Sequence, residues 1–570
     1  MTVAFVEQAT ARVRATAWLP SLGRAERVFD RTLSGVGLAC ATWAFAASLV
    51  PSLLPRSGWL QGLVSGVTVV VGYGFGAGAH ALWDYLGIPG LHGRVRGVVT
   101  TILVGLGLLG AVLNAWRLVG WQNEIRRTFG MEPTSPTIWP VVIAVTLVVA
   151  VGLLVLGRSI RHLARRTIRS LARRLPPRLS RVLGLGLIAL LFWGLWTGVI
   201  VRGFFAGANA IFAPQDTIGT HSTQRPTSPE RSGTAESLTR WEDLGRYGRV
   251  FVRGGPSVAA LEGVNGPGAK QPIRVYAGLQ SARTTQGRAD LVLAELKRTK
   301  AFDRKVLVLA TTTGMGFLDR HATSSLEYAW NGDTAIAGVQ YSYLPSWISL
   351  LADQEEVVDT SRVVFETVHD YWATLPESQR PALYLYGLSL GSKGVEGVLS
   401  SVNILNAPVA GALMVGPPFV NDLHTRFTTD RDTGSTATLP VYERGRTVRF
   451  MDEHGGLENT TGPWGPTKVV YLQHASDPVT FWSTDLAFDR PAWLRDGDRG
   501  PDVSERMGWF PVVTMWQVLL DMPGAGAVPD GFGHMYSYEA NLSAWVAVTD
   551  PPTWSPEREQ RVLAALNARG

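Results

Sequence analysis

The hydrophobic pattern of the chain changes near residue 210. Before that point long apolar runs occur near 33–54, 60–82, 98–116, 138–157 and 183–201, five in all. Bilayer hydrocarbon is about 30 Å thick and a helix rises about 1.5 Å per residue, so each run has the length a crossing needs. No acidic residue lies inside a run, and glycine is frequent, as at Gly72, Gly74, Gly76 and Gly78 in the second. Glycine at such density favours close helix packing over a solvent-filled pore. The first run starts too late for a cleaved signal peptide, after an amphipathic stretch carrying Arg12, Arg14, Arg24 and Arg27. The expectation is an α-helical membrane domain of five spans over residues 1–210.

Beyond it the pattern shortens. Residues 213–236 are polar, rich in Ser, Thr and Pro and without apolar period, so 211–237 reads as a linker and the soluble domain as 238–570. Within that domain short β-branched runs alternate with helical stretches. Strands are predicted at 273–279, 305–313, 334–344, 382–389, 411–416 and 468–476, with helices at 288–302, through the Leu326–Trp330 stretch, at 353–374 and at 392–404. Such alternation predicts a doubly wound, mostly parallel sheet covered on both faces, with function at the carboxyl ends of its strands. Residues 417–467 carry many turn formers and little period, and read as an insertion capable of covering a site.

Charge refines this division. The net +7 is the sum of +15 over residues 1–210 and −8 over the rest. The basic excess therefore belongs to the membrane half, and the acidic second half without zinc-finger spacing argues against a nucleic-acid partner. Arg placement also orients the spans, because basic residues resist translocation. Sixteen Arg fall on one side (the N-terminal flank, Arg94 and Arg96, and nine in the loop 158–181) against four on the other: Arg56, Arg117, Arg126 and Arg127. The expectation is a cytoplasmic N-terminus, an Arg-rich cytoplasmic loop suited to lie on anionic lipid, and an extracytoplasmic C-terminal domain. Cys40, the single cysteine, allows no intrachain disulfide and no thiol chemistry in the soluble part.

Candidate chemistry centres on Gly387-Leu388-Ser389-Leu390-Gly391, a G-x-S-x-G set between the apolar run ALYLY and a helical stretch. This strand–turn–helix setting is the one in which a strained elbow presents a serine hydroxyl, with Gly387 and Gly391 required because a Cβ there would strike the neighbouring strand and helix. An alkyl hydroxyl is a poor nucleophile at neutral pH and needs an imidazole to take its proton and a carboxylate to orient that imidazole. Asp477 follows the last predicted strand, where the acid of such a fold belongs. A turn or N-cap Asp before Pro478 is the plain alternative. Of six histidines after residue 240, only His534 lies beyond Asp477 in a glycine-flanked loop. His321 and His369 fall on polar helical stretches, and His424 and His454 read as solvated histidines beside Asp422, Asp452 and Glu453. No H-E-x-x-H pattern suggests a metal, and His474 is a candidate second contact behind Asp477. An oxyanion hole would take the N–H of Leu390 and that of Thr313 or Gly314. No P-loop or G-x-G-x-x-G is present, so no cofactor is expected.

Taken with Arg274-Val-Tyr276-Ala-Gly278, Gln340-Tyr-Ser-Tyr-Leu-Pro-Ser-Trp347, Gly416-Pro-Pro418 and Gly533-His534-Met-Tyr536, these blocks run in order along nearly the whole chain. Together they resemble a bacterial membrane-anchored α/β-hydrolase family with an N-terminal multi-span domain and a C-terminal catalytic domain. The resemblance implies a serine-hydrolase site at Ser389, Asp477 and His534, although no His-Gly oxyanion signature precedes Gly314. The function expected is hydrolysis of acyl esters, lipid-related because the site is tethered to a bilayer. An acyltransferase with the same acyl-enzyme, or a non-catalytic envelope protein with a hydrolase-like binding domain, are the alternatives. Trp482, Trp493, Trp509 and Trp516 could line an acyl pocket, and core packing explains them equally well.

Overall fold

The computed structural model describes residues 33–173 apart from 92, isolated positions between 175 and 216, and residues 224–568 apart from 346–347, 351–353 and 401–407. Four helices open the described chain: α1 (Gly35–Ser48), α2 (Gly58–Tyr85), α3 (Gly93–Thr128) and α4 (Trp139–Leu171). Three of them are long and apolar enough to cross a membrane: α2, α3, and α4 with its preceding turn from Pro136. Their outer faces leave Leu106, Leu109, Val112, Leu147, Val148 and Val151 exposed, which is costly in water and favourable in hydrocarbon.

Among the described residues the structure thus holds three candidate spans where the sequence reading expected four of its five. The first predicted run fails for a local reason. With 14 residues α1 is about 21 Å long, and it stops at Ser48 because Pro51 and Pro55 forbid continuation. The remainder of that run, Leu49 to Leu54, turns into a buried loop. The fifth run, 183–201, lies almost wholly outside the described residues.

The second half holds a seven-stranded, all-parallel sheet in the order β1-β3-β2-β4-β5-β7-β6. Its strands are β1 (Ile273–Ala277), β2 (Val306–Thr311), β3 (Thr334–Val339), β4 (Ala382–Leu388), β5 (Gly411–Val415), β6 (Val448–Met451) and β7 (Lys468–Leu472). Strands β1, β3 and β5 are buried at every position. Continuous burial is the mark of a sheet covered on both faces. One face packs on α7 (Thr285–Arg298), α9 (Gln354–Thr374) and α10 (Leu390–Leu399), through Val292, Leu296, Phe365, Val368, Val395 and Val398. The other packs on α5 (Gly245–Arg253), α8 (Arg320–Ala329) and α14 (Tyr538–Thr549), through Phe251, Leu326, Ala544 and Trp545. Helices α6 (Val258–Asn265) and α15 (Pro556–Asn567) pack with one another outside this layer.

Two boundaries differ from the sequence reading. The C-terminal part of the predicted linker belongs to the folded unit: Arg231 forms a bridge with Arg274 of β1, and the fully buried Ser232 bonds Glu295 at 2.9 Å. The predicted insertion 417–467 supplies α11 (Asp422–Thr429) and also β6, the edge strand beside β7. Four residues, VRFM, are too short for a period to declare itself. His424 is buried on α11, bonded at Nε2 to Gln473 Oε1 at 2.6 Å, and burial pulls its pKa down to about 4. It is a neutral core histidine and not a solvated one. His321 and His369 are buried as well.

Between β7 and α14 lie the short α12 (Pro478–Phe481) and α13 (Val513–Asp521). This region packs against the apolar N-terminal helices and the loop between α1 and α2. A shared cluster joins Leu53, Leu54, Ile125 and Phe129 of the N-terminal half to Val479, Phe481, Val518 and Ala525. At its centre Arg56 Nε donates to Asp521 Oδ1 at 2.7 Å with both side chains at 0% exposure. Gln517 Nε2 donates to the Val50 carbonyl at 3.0 Å.

Candidate active site

Strand β4 ends at Leu388, and Ser389 stands between it and α10 with φ 53° and ψ −129°. That combination is a sparsely populated backbone state for a residue with a Cβ and costs on the order of 1–3 kcal/mol, so the neighbours must hold it. Part of the hold is the Ser389 N–H, which donates to Val415 O at 2.8 Å at the end of β5. The flanking glycines make the turn sterically feasible. A Cβ on Gly387 would lie 2.3 Å from Gly391 O, and one on Gly391 would lie 2.5 Å from Thr311 O of β2. Both are backbone clashes, as the motif implied.

Asp477 follows β7 at its carboxyl end and is fully buried. Its two oxygens divide the work. Oδ1 accepts from the Val479 N–H at 2.9 Å and so caps α12, while Oδ2 accepts from His534 Nδ1 at 2.6 Å and Tyr536 Oη at 2.8 Å. One oxygen of the carboxylate thus serves the turn before Pro478 while the other faces the imidazole. Burial first, then the adjacent Asp477 charge, push the Tyr536 phenol well above its ordinary pKa. Tyr536 therefore remains a protonated donor.

His534 sits in a tight turn that depends on Gly531 and Gly533, with φ of 91° and 53°. Three bonds fix it: His534 N–H to Ala525 O at 3.0 Å, Gly533 N–H to Ser476 Oγ at 2.9 Å, and His474 Nδ1 to Gly533 O at 2.9 Å. The imidazole lies over Gly416, whose absent Cβ would be 2.6 Å from its Cε1. Gly416 follows Val415, the residue bonded to Ser389 N–H, so imidazole and elbow share one corner of the sheet. Nε2 is buried and has no hydrogen-bond partner among the described residues. The bond from Ser389 Oγ to this nitrogen is not formed in this structure. Such bonds are often long without substrate.

The oxyanion candidates separate. Leu390 is the first residue of α10, where an N–H has no acceptor within the helix. Thr313 is corrected: its N–H is committed to Phe317 O at 3.0 Å. Gly314 remains, in a position where a Cβ would lie 2.3 Å from Leu344 O. A cleft of about 590 Å³ reaches this corner, lined by Phe317, His321, Leu388, His534, Met535 and Tyr538 but not by Ser389 itself.

Sequence reasoning named His474 as a second contact behind Asp477 but missed its partner Glu453 and its hold on the histidine loop. His474 stacks on Tyr536 with centroids 4.1 Å apart, and its Nε2 meets Glu453 Oε1 at 2.9 Å. Burial alone would pull the His474 pKa down, but the Glu453 hydrogen bond and charge, with Asp502, leave it raised. Glu453, although buried, is held below the usual range by His474 and Ser537. Both ring nitrogens of His474 face acceptors, Gly533 O and Glu453 Oε1, an arrangement that favours the imidazolium beside a carboxylate. On the other side Phe129 of the membrane half stacks on Phe532 at 4.3 Å, and Leu54 lies beside Gly533. No spacing along the chain links residues 54 or 129 to 533. Of the four tryptophans, Trp493 is core, and Trp482 and Trp509 donate to Met515 O and Leu486 O.

A parallel sheet with a strained, glycine-framed serine after its fourth strand defines a hydrolase-like domain behind a helical apolar one. The chain belongs to the alpha/beta-hydrolase family: its family model matches residues 273–562, and the model of that family's N-terminus matches residues 49–256. Searches among curated proteins and solved structures give no match.

Proposed function

We propose that the protein is a membrane-embedded serine hydrolase of acyl esters, with Ser389 as nucleophile, His534 as base and Asp477 as the group that orients and charges the imidazole. The observation that carries this reading is the Asp477–His534 contact of 2.6 Å, with the far nitrogen of the ring buried and unpartnered beside the elbow. In this reading Ser389 Oγ donates to Nε2 once substrate is bound. In the reaction Oγ attacks the ester carbonyl as its proton passes to Nε2. The tetrahedral oxyanion would be met by the N–H groups of Leu390 and Gly314. The proton then goes to the leaving alcohol, and water, activated by the same imidazole, releases the acid. The ester's acyl group is lipid-derived in this reading, because the site is packed against apolar helices that would sit in a bilayer.

The reading places the domain outside the cytoplasm. Its support is that α13 and the histidine loop pack on the bundle end carrying Arg56, Arg126 and Arg127, the sparsely basic end of the spans. The test is a fluorophosphonate probe on the membrane-reconstituted protein, with short acyl esters as substrate. Labelling at Ser389 that disappears in Ser389→Ala and in His534→Ala, together with ester turnover, supports catalysis. Equal turnover by Ser389→Ala would end the assignment, and transfer to an added alcohol in place of water would make the enzyme an acyltransferase.

A further inference from the structure

A second cavity lies away from the candidate active site. It measures about 390 Å³ and sits between α1, α2 and α3 on one side and residues 510–516 of the hydrolase half on the other. Its walls include Trp43, Ala47, Phe75, Gly110, Val513 and Trp516. Three of the polar side-chain groups in the lining are turned to backbone: Thr68 Oγ1 donates to Val64 O at 2.9 Å, Asn114 Nδ2 to Ala46 O at 2.9 Å and Trp43 Nε1 to Leu103 O at 3.2 Å. The cavity therefore offers shape and apolar surface with little for a polar ligand to bond.

We propose that this cleft holds one acyl chain of a bilayer lipid. Three observations select that occupant. First, the mouth is formed by Trp43 and Phe75, 51% and 69% exposed on helices whose surroundings would be hydrocarbon, so chains of lipid are the species already there. Second, the volume falls within the range of small-ligand pockets, about 300–1,000 Å³. A helix about 10 Å across would fill such a space within about one turn, so a protein segment is too wide. Third, the soluble wall carries a strained residue: Val512, at φ 65° and ψ −43°, opens α13. A β-branched residue in that region is an outlier, and strain of this kind concentrates where ligands are clamped. The inference rests on reading α2 to α4 as membrane spans and is independent of chemistry at Ser389.

The experiment reconstitutes the full chain in phosphatidylcholine vesicles containing a small fraction of phosphatidylcholine with a diazirine near the end of one acyl chain. After irradiation the adducts are mapped by mass spectrometry. The expected result is labelling on residues 510–516, besides labelling on the outer face of α4 near Val148 and Val151. Gly110→Leu should fill the cleft and remove the 510–516 adducts while leaving those on α4. A Cβ at Gly110 meets only the Ala46 Cβ, at an ordinary 3.6 Å, so Gly110→Ala serves as the folded control and keeps the adducts. Labelling confined to the outer faces, or 510–516 labelling unchanged in Gly110→Leu, overturns the proposal. Ser389→Ala should label as the parent does, so failure here and failure of the hydrolase reading are told apart.

Discussion

Replacing Arg56 by Met tests how far the two halves of the chain are one structure. The guanidinium is 1% exposed as a residue and lies against Asp521 Oδ1, with Nη2 donating to Gln517 O at 3.2 Å. Removing one partner of a buried pair leaves the other charge without compensation and costs about 3–5 kcal/mol, a large share of a total of about 5–15 kcal/mol. The double variant Arg56→Met/Asp521→Leu removes the uncompensated charge. It should recover on the order of 2 kcal/mol relative to the sum of the singles, within the range for directly contacting residues. Burial already pushes the Asp521 carboxyl above its ordinary pKa despite the opposing Arg56. Without Arg56 it should rise further, so the single variant has an escape by taking up a proton, and its deficit should shrink as the pH is lowered. Thermal unfolding in detergent micelles for the four proteins, at two pH values, reads all of this. Additive single losses with no pH trend would refute the reasoning, because they would mean that each side chain acts alone.

Other outcomes follow from the same geometry. The His474–Glu453 pair should stabilise the fold within a window: the raised His474 contributes fully below 6.5 and is lost as pH rises through its folded value, while the depressed Glu453 contributes above 4.5 and is lost as pH falls through its folded value. Melting the parent and His474→Gln across pH should show a difference that narrows at both ends. Gly387→Ala puts a Cβ into the Gly391 backbone and should cost about 1–3 kcal/mol and abolish fluorophosphonate labelling; an unchanged labelling rate would argue against a strained elbow. Tyr536→Phe removes one donor from the Asp477 carboxylate and should cost about 1.5–3 kcal/mol in denaturant unfolding, with ester turnover reduced and not lost.

The sheet was legible because its strands are buried on both faces and so announce themselves as apolar β-branched runs, six of seven within a few residues of their true ends. The elbow was legible because Gly387 and Gly391 are demanded by backbone contacts that repeat wherever a strand turns sharply into a helix. Asp477 and His534 followed from chain order and glycine flanking, and they do meet. The failures share a cause, which is that pattern along the chain carries no information on distant partners. The run at 33–54 has the hydropathy of a span, yet two prolines divert its second half into a protein interface. Thr313 looked like a backbone donor because the acceptor that takes its N–H, Phe317 O, is set by a turn and not by composition. Arg274 stood out as part of a motif, and its role is to grip Glu327 of α8 in two bonds of 2.7 Å.

The distribution of apolar clusters says which parts of the hydrolase half stand on their own. The two clusters flanking the sheet draw only on residues after 240, so the sheet and its covering helices bury one another without help. The third cluster cannot be closed that way, because Leu53, Leu54, Ile125 and Phe129 fill it against Val479, Val518 and Ala525. Ala525 is the residue whose carbonyl holds the His534 N–H, and Phe532 of the same loop lies under Phe129. Serine and carboxylate are thus carried by strand ends with an autonomous core, whereas the imidazole is carried by a loop whose packing is completed by the membrane helices. The apolar bundle thus supplies part of the surface that fixes where His534 stands relative to Ser389.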